Sequence, residues 1–70
     1  MINQIIAFHK DLQKGQTVKI ITGLKDYVSY VNRTDILKQD GDILIVFRAN
    51  GGKVAINCTY VVASCIVERI

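Results

Sequence analysis

The sequence predicts a mainly β domain in which an N-terminal helix precedes five antiparallel strands bent strongly into a small barrel. Three observations carry that prediction. A helical apolar period runs through residues 2–13 and disappears after Gly15. Short β-rich runs fill the rest, punctuated by the hairpin signals Asp40-Gly41 and Asn50-Gly51-Gly52. Turns this short leave no room for the crossover helices that a parallel sheet requires. Successive strands must then pair antiparallel, and a bent barrel is a compact way for them to close.

Each element has its own warrant. In the helix, Ile2, Ile5, Ile6, Phe8 and Leu12 form an apolar stripe, while Asn3, Lys10 and Gln13 are polar. Gly15 ends it, and Lys14 suits the negative C-terminal pole. The first strand is Thr17 to Thr22, followed by a turn over Gly23-Leu24-Lys25-Asp26. The second runs from Tyr27 to Asn32 and is expected to bend or bulge before continuing through Ile36 and Leu37. Ile43 to Arg48 is the third strand and Val54 to Cys58 the fourth. A brief turn near Thr59 leads into the fifth, residues 61–70. With no proline, linker, low-complexity segment or internal repeat, residues 1–70 read as a single domain.

The chain is more apolar than its size explains. Half of its residues are hydrophobic and its mean hydropathy is +0.27, yet so short a chain buries only about 60% of the surface it exposes when unfolded. Burial against another copy is the simplest outlet. The third strand states the problem locally, because Ile43-Leu44-Ile45-Val46-Phe47 is apolar at every position. One face fills the core, and the other needs the helix or a neighbouring subunit over it. On the fifth strand, Val61, Ala63, Cys65 and Val67 form a wholly apolar face, assigned to the core. The mixed face carries Val62, Ser64, Ile66 and Glu68. A last strand has an unpaired edge, so Val62, Ser64 and Ile66 are expected at the subunit contact, with Ile66 central.

Several function classes find no support. No apolar run approaches the roughly 18 residues of a membrane span. The N-terminus lacks the features of a signal peptide, so the expected location is the cytoplasm. Cys58 and Cys65, seven apart, read as two buried free thiols. The single histidine, His9, has no local catalytic or metal motif around it. Asp26, Asp35, Asp40 and Asp42 fall in or near turns, and Asn50-Gly51-Gly52 joins two strands instead of opening a phosphate-binding helix. The expectation is therefore a protein that is not an enzyme and carries no cofactor or metal.

Nine Lys and Arg against six Asp and Glu give a net charge of +3 and a pI near 9.1. The cations form no run, so only an assembly could align them into a patch. Tyr27, Tyr30 and Tyr60 are candidate stacking surfaces, Tyr30 with nearby Arg33 and Tyr60 after Asn57. Their plainer reading is tyrosines at β positions with solvated hydroxyls.

The layout resembles the Sm-like family, which includes the bacterial host-factor RNA chaperone and whose barrels are SH3-like. "VKIITG" (Val18 to Gly23) is similar to that family's first strand, Asp35 falls near its loop aspartate, and "AINCTYVV" (Ala55 to Val62) looks like its strand four–five segment. The chain departs from the family in lacking a glycine in the second strand and an asparagine after Asp35, and in having Asn57-Cys58 where Arg-Gly or Lys-His stands. The resemblance implies a homo-oligomer that binds RNA or another single-stranded nucleic acid. Arg33 and Asp35 would then come from one loop, and Lys53 and Asn57 from the strand four–five region. Lysine and arginine neutralise phosphate, and asparagine hydrogen-bonds a base edge. The alternative is a small structural or adaptor protein, a phage or mobile-element accessory, that self-associates and binds another protein.

Overall fold

The computed structural model describes residues 2–23 and 27–69. Its helix α1 spans Ile2–Lys10, shorter than the stripe that predicts it. Asp11 N–H donates to the Phe8 carbonyl at 3.1 Å and Leu12 N–H to that of His9 at 3.4 Å. These i→i−3 bonds tighten the last turn and end the helix early. Leu12 nevertheless reaches the core, as does Ile5, which has no exposed surface.

Six strands follow, arranged as two antiparallel three-stranded sheets. They are β1 (Gln16–Thr22), β2 (Val28–Asn32), β3 (Ile36–Asp40), β4 (Ile43–Phe47), β5 (Lys53–Asn57) and β6 (Val61–Glu68), with a 3-10 turn, Cys58–Tyr60, before β6. One sheet has the order β2-β1-β6 and the other β3-β4-β5. The expected second strand is divided: β2 lies in the first sheet and β3 in the second, with a turn at Arg33-Thr34 between them. Of the expected turn after β1, Leu24, Lys25 and Asp26 lie outside the described residues, as does Ile70. Gly41 and Gly51 occupy the hairpin turns with φ of +59° and +93°, a region that L side chains enter only with strain. Among the described residues no helix is long and apolar enough to cross a membrane.

The core lies between the sheets. Val18, Ile20, Val31, Leu44 and Val46 have no exposed surface, and Ile56, Cys58 and Val61 pack with them. The all-apolar β4 does alternate: Leu44 and Val46 point inward, while Ile43, Ile45 and Phe47 line the other side. On that outer face the register sets Phe47 between Ile36 and Lys53, and Ile45 between Lys38 and Ala55. Helix α1 packs on β1 and β6. It does not cover β4, and Ile36 is left 69% exposed.

The face assignment on the last strand is reversed. Ile66 pairs with Val18 and Ser64 with Ile20, and adjacent strands present paired residues on one face. Ser64 and Ile66 therefore look inward with Val18 and Ile20, and Ile66 packs against the core. Cys65, expected in the core, is exposed, as is Ala63. The cause is a bulge. Ile21 pairs with Ala63 and Thr22 with Val61, so Val62 is the unpaired extra residue, 62% exposed. The bulge changes the alternation and returns Val61 to the interior. Of the two thiols expected to be buried, only Cys58 is, and its burial raises the thiol above its ordinary pKa.

Candidate nucleic-acid interface

The break between β2 and β3 is held by Asp35. Its N–H donates to the Asn32 carbonyl at 3.0 Å, while its Oδ2 accepts the Asn32 N–H at 2.8 Å. The same oxygen accepts from Arg48 Nη1 at 2.6 Å, and that nitrogen also donates to the Tyr30 carbonyl at 2.7 Å. Thr17 Oγ1 lies 2.8 Å from the Val31 carbonyl and 2.9 Å from Asn32 Oδ1. The His9 ring meets the Asn32 carbonyl at 3.1 Å. Asp35 was expected to contact nucleic acid, but its side chain is only 2% exposed. It is an anchor that fixes the turn and places Arg48 beside the edge of β2.

Arg48 opens onto a groove lined also by Tyr30, Asn32, Val54 and Arg69, about 270 Å³ in volume. The Arg69 guanidinium sits 4.4 Å from the centre of the Tyr30 ring, within cation–π range. Lys19 pairs with Tyr30 across the strands and so shares its face. Among the described residues no acidic side chain lines the groove. Asp35 offsets the charge of Arg48, while Arg69 and Lys19 have no described ion-pair partner.

A second recess of about 320 Å³ adjoins the first, lined by Thr22, Val54, Ile56, Asn57, Tyr60 and three further residues that include Tyr27 and Ser29. The two share Tyr27, Ser29 and Val54, so they form one continuous depression between β2 and β5. Tyr27 and Tyr60, 61% and 49% exposed, are available to a ligand at its rim. Asn57 caps the 3-10 turn, its Oδ1 accepting the Thr59 N–H at 3.0 Å.

The remaining residues singled out from the sequence divide by position. Arg33 is exposed beside Asn32, while Lys53 is exposed on the outer face of the second sheet, opposite to Val54; neither lines the groove. Lys53 Nζ lies 5.9 Å from the centre of the Phe47 ring. Asn57 sits at the opposite end of β5, in the second recess. Of the three interface candidates only Val62 is exposed, since Ser64 and Ile66 face inward. Sequence reasoning missed Lys19, Arg48 and Arg69 as a group. They are far apart in the chain: the β1–β2 register sets Lys19 beside Tyr30, Arg69 reaches the Tyr30 ring from beyond β6, and Arg48 reaches the Tyr30 carbonyl from the second sheet. Among the described residues no three His, Cys, Asp or Glu side chains are grouped as metal ligands would be.

These features define a small, mainly β domain with two antiparallel sheets and one aromatic, basic depression between the edges of β2 and β5. Comparison with known protein families, curated proteins and solved structures gives no match.

Proposed function

We propose that this chain is a homo-oligomeric, non-catalytic protein that binds RNA through a small barrel of Sm-like type. The observation that carries the reading is the Arg69 guanidinium within cation–π range of Tyr30, in a groove that no described acidic residue lines. Such a surface offers a ring to an unpaired base and cations to its phosphates, the combination that single-strand binding uses. The barrel is supported by the bent β2–β3 passage and by the 3-10 turn that carries the chain from one sheet to the other. Self-association is supported by the outer face of the second sheet, where Ile36, Ile45 and Phe47 lie side by side, and by β5, an edge strand of its sheet among the described residues. That apolar face also supports a second reading, an adaptor that self-associates and binds another protein. A cytoplasmic location suits either role.

Fluorescence anisotropy with a labelled single-stranded RNA, titrated over a salt series, tests the first reading. The expected result is binding that weakens steeply with salt. Arg33→Ala and Lys53→Ala should each weaken it and reduce the log–log salt slope by about 0.7. Absence of binding at low salt would leave the adaptor reading in its place. Assembly has a separate check: light scattering across a dilution series should show an oligomer, and a monomer at every concentration would contradict it.

A further inference from the structure

The depression has two chemically different halves, and a nucleotide has the same two. We infer that the recess beside Tyr27 and Tyr60 receives one unstacked nucleobase while the adjoining groove at Arg69 holds a phosphate of the same strand. This rests on the RNA-binding reading above and names the unit that the site takes.

The lining of each half selects its occupant. Among the described residues no charged side chain lines the recess; its floor is Val54 and Ile56, and Tyr27 and Tyr60 stand about half-exposed or more at its rim. A phosphate placed there would lose its hydration and gain no cation in return. A base has an apolar face to bury and stacks on either phenol ring. At about 320 Å³ the recess lies at the small end of ligand pockets, which run from about 300 to 1,000 Å³, and so suits one base. Polar groups stand where a base edge would need them. The Asn57 carboxamide commits its oxygen to the Thr59 N–H, which leaves its N–H donors to meet a base carbonyl. The Thr22 and Ser29 hydroxyls also line the recess.

The other half adjoins at the shared residues Tyr27, Ser29 and Val54, and there Arg48 and Arg69 replace the apolar floor. Arg69 is the phosphate ligand of choice, because among the described residues no carboxylate pairs with it, whereas Asp35 pairs with Arg48. Its guanidinium lies 4.4 Å from the centre of the Tyr30 ring, and its planar fork of donors matches the geometry of a phosphate.

The test compares two labelled probes, a single-stranded oligonucleotide and an abasic strand with the same sugar–phosphate backbone. Tyr27→Leu and Tyr60→Leu replace exposed rings and should leave the fold intact by circular dichroism. Each is expected to weaken binding of the base-containing strand roughly tenfold with an unchanged salt slope, and to leave the abasic strand unaffected. Arg69→Gln should lower the slope by about 0.7 for both probes. If the wild type binds the two strands equally and neither tyrosine variant alters either, the base site is wrong while RNA binding stands. If the variants change the oligomeric state and leave affinity intact, the recess is a subunit contact and the inference fails. If the wild type binds neither strand at low salt, the RNA-binding reading fails with it.

Discussion

Asp35→Ala is expected to lower the unfolding free energy by about 3 kcal/mol. The carboxylate is almost fully enclosed and serves two donors at once, the Asn32 N–H and the Arg48 guanidinium. Alanine would leave that N–H without its carboxylate acceptor and the guanidinium without its counter-charge. Removing one member of a buried pair typically costs about 3–5 kcal/mol, because the other charge stays desolvated. Here the Arg48 side chain is 24% exposed, so water compensates in part and the lower end of that range applies. For a domain of this size such a loss corresponds to a fall in Tm of roughly 12–24 °C. Urea or thermal unfolding followed by circular dichroism reads the effect directly.

A partial variant separates charge from connectivity. Asp35→Asn keeps a side-chain oxygen for the Asn32 N–H but no longer neutralises Arg48, so about half the loss is expected. Pairing Asp35→Ala with Arg48→Met should cost less than the two single losses added, by at least about 1 kcal/mol, since both act through one contact. Additive losses, or an Asp35→Ala cost below about 1 kcal/mol, would mean that the β2–β3 turn is held chiefly by its backbone bonds.

Asp35 also shows what a sequence displays and what it conceals. Its position after the second strand was legible, but its task was not, because a lone aspartate reads equally well as a ligand contact or as an anchor. The distinguishing signal was the pattern Asn32-Arg33-Thr34-Asp35, in which the two ends hydrogen-bond reciprocally and divide one long strand between two sheets. The hairpins at Gly41 and Gly51 were legible because a positive φ restricts the residue choice there. The helix was legible in type but extended too far, since nothing in the apolar stripe announces that its last turn tightens at Asp11. The basic groove was legible only as unplaced charge. Lys19, Arg48 and Arg69 each approach Tyr30 from a different part of the fold, which one sequence does not display. Tyr27, Tyr30, Tyr60 and Asn57 could be singled out as residues, but how they sit around the depression between β2 and β5 emerges only in three dimensions.

Strand β6 provides the second large effect, and the reasoning turns on a single residue. Uninterrupted alternation would place Val61, Ala63, Cys65 and Val67 together, and their uniform apolarity made that the natural core face. Val62 breaks the count. Unpaired at the bulge, it lets Val61 point inward at one end of the strand while Ser64 and Ile66 point inward beyond it. Ile66 lies opposite Val18, which has no exposed surface, and packs against the core itself. Ile66→Lys would set an ammonium group against that cluster, and Glu68, the carboxylate nearest along the strand, is exposed and already accepts from Gln16. Ile66 is only half-buried, so the lysine stem can carry its charge part of the way to solvent. Even so, the lost apolar packing and the partial desolvation together should cost about 3 kcal/mol. Cys65→Lys, one residue away on the exposed face, should change stability by no more than about 0.5 kcal/mol. Unfolding of the two variants at several protein concentrations separates fold from assembly: for Ile66→Lys the loss should persist at every concentration, because it arises within the protomer. A stable, monomeric Ile66→Lys would instead return this residue to the subunit contact, and an unfolded Cys65→Lys would show that the bulge at Val62 does not set the faces of β6.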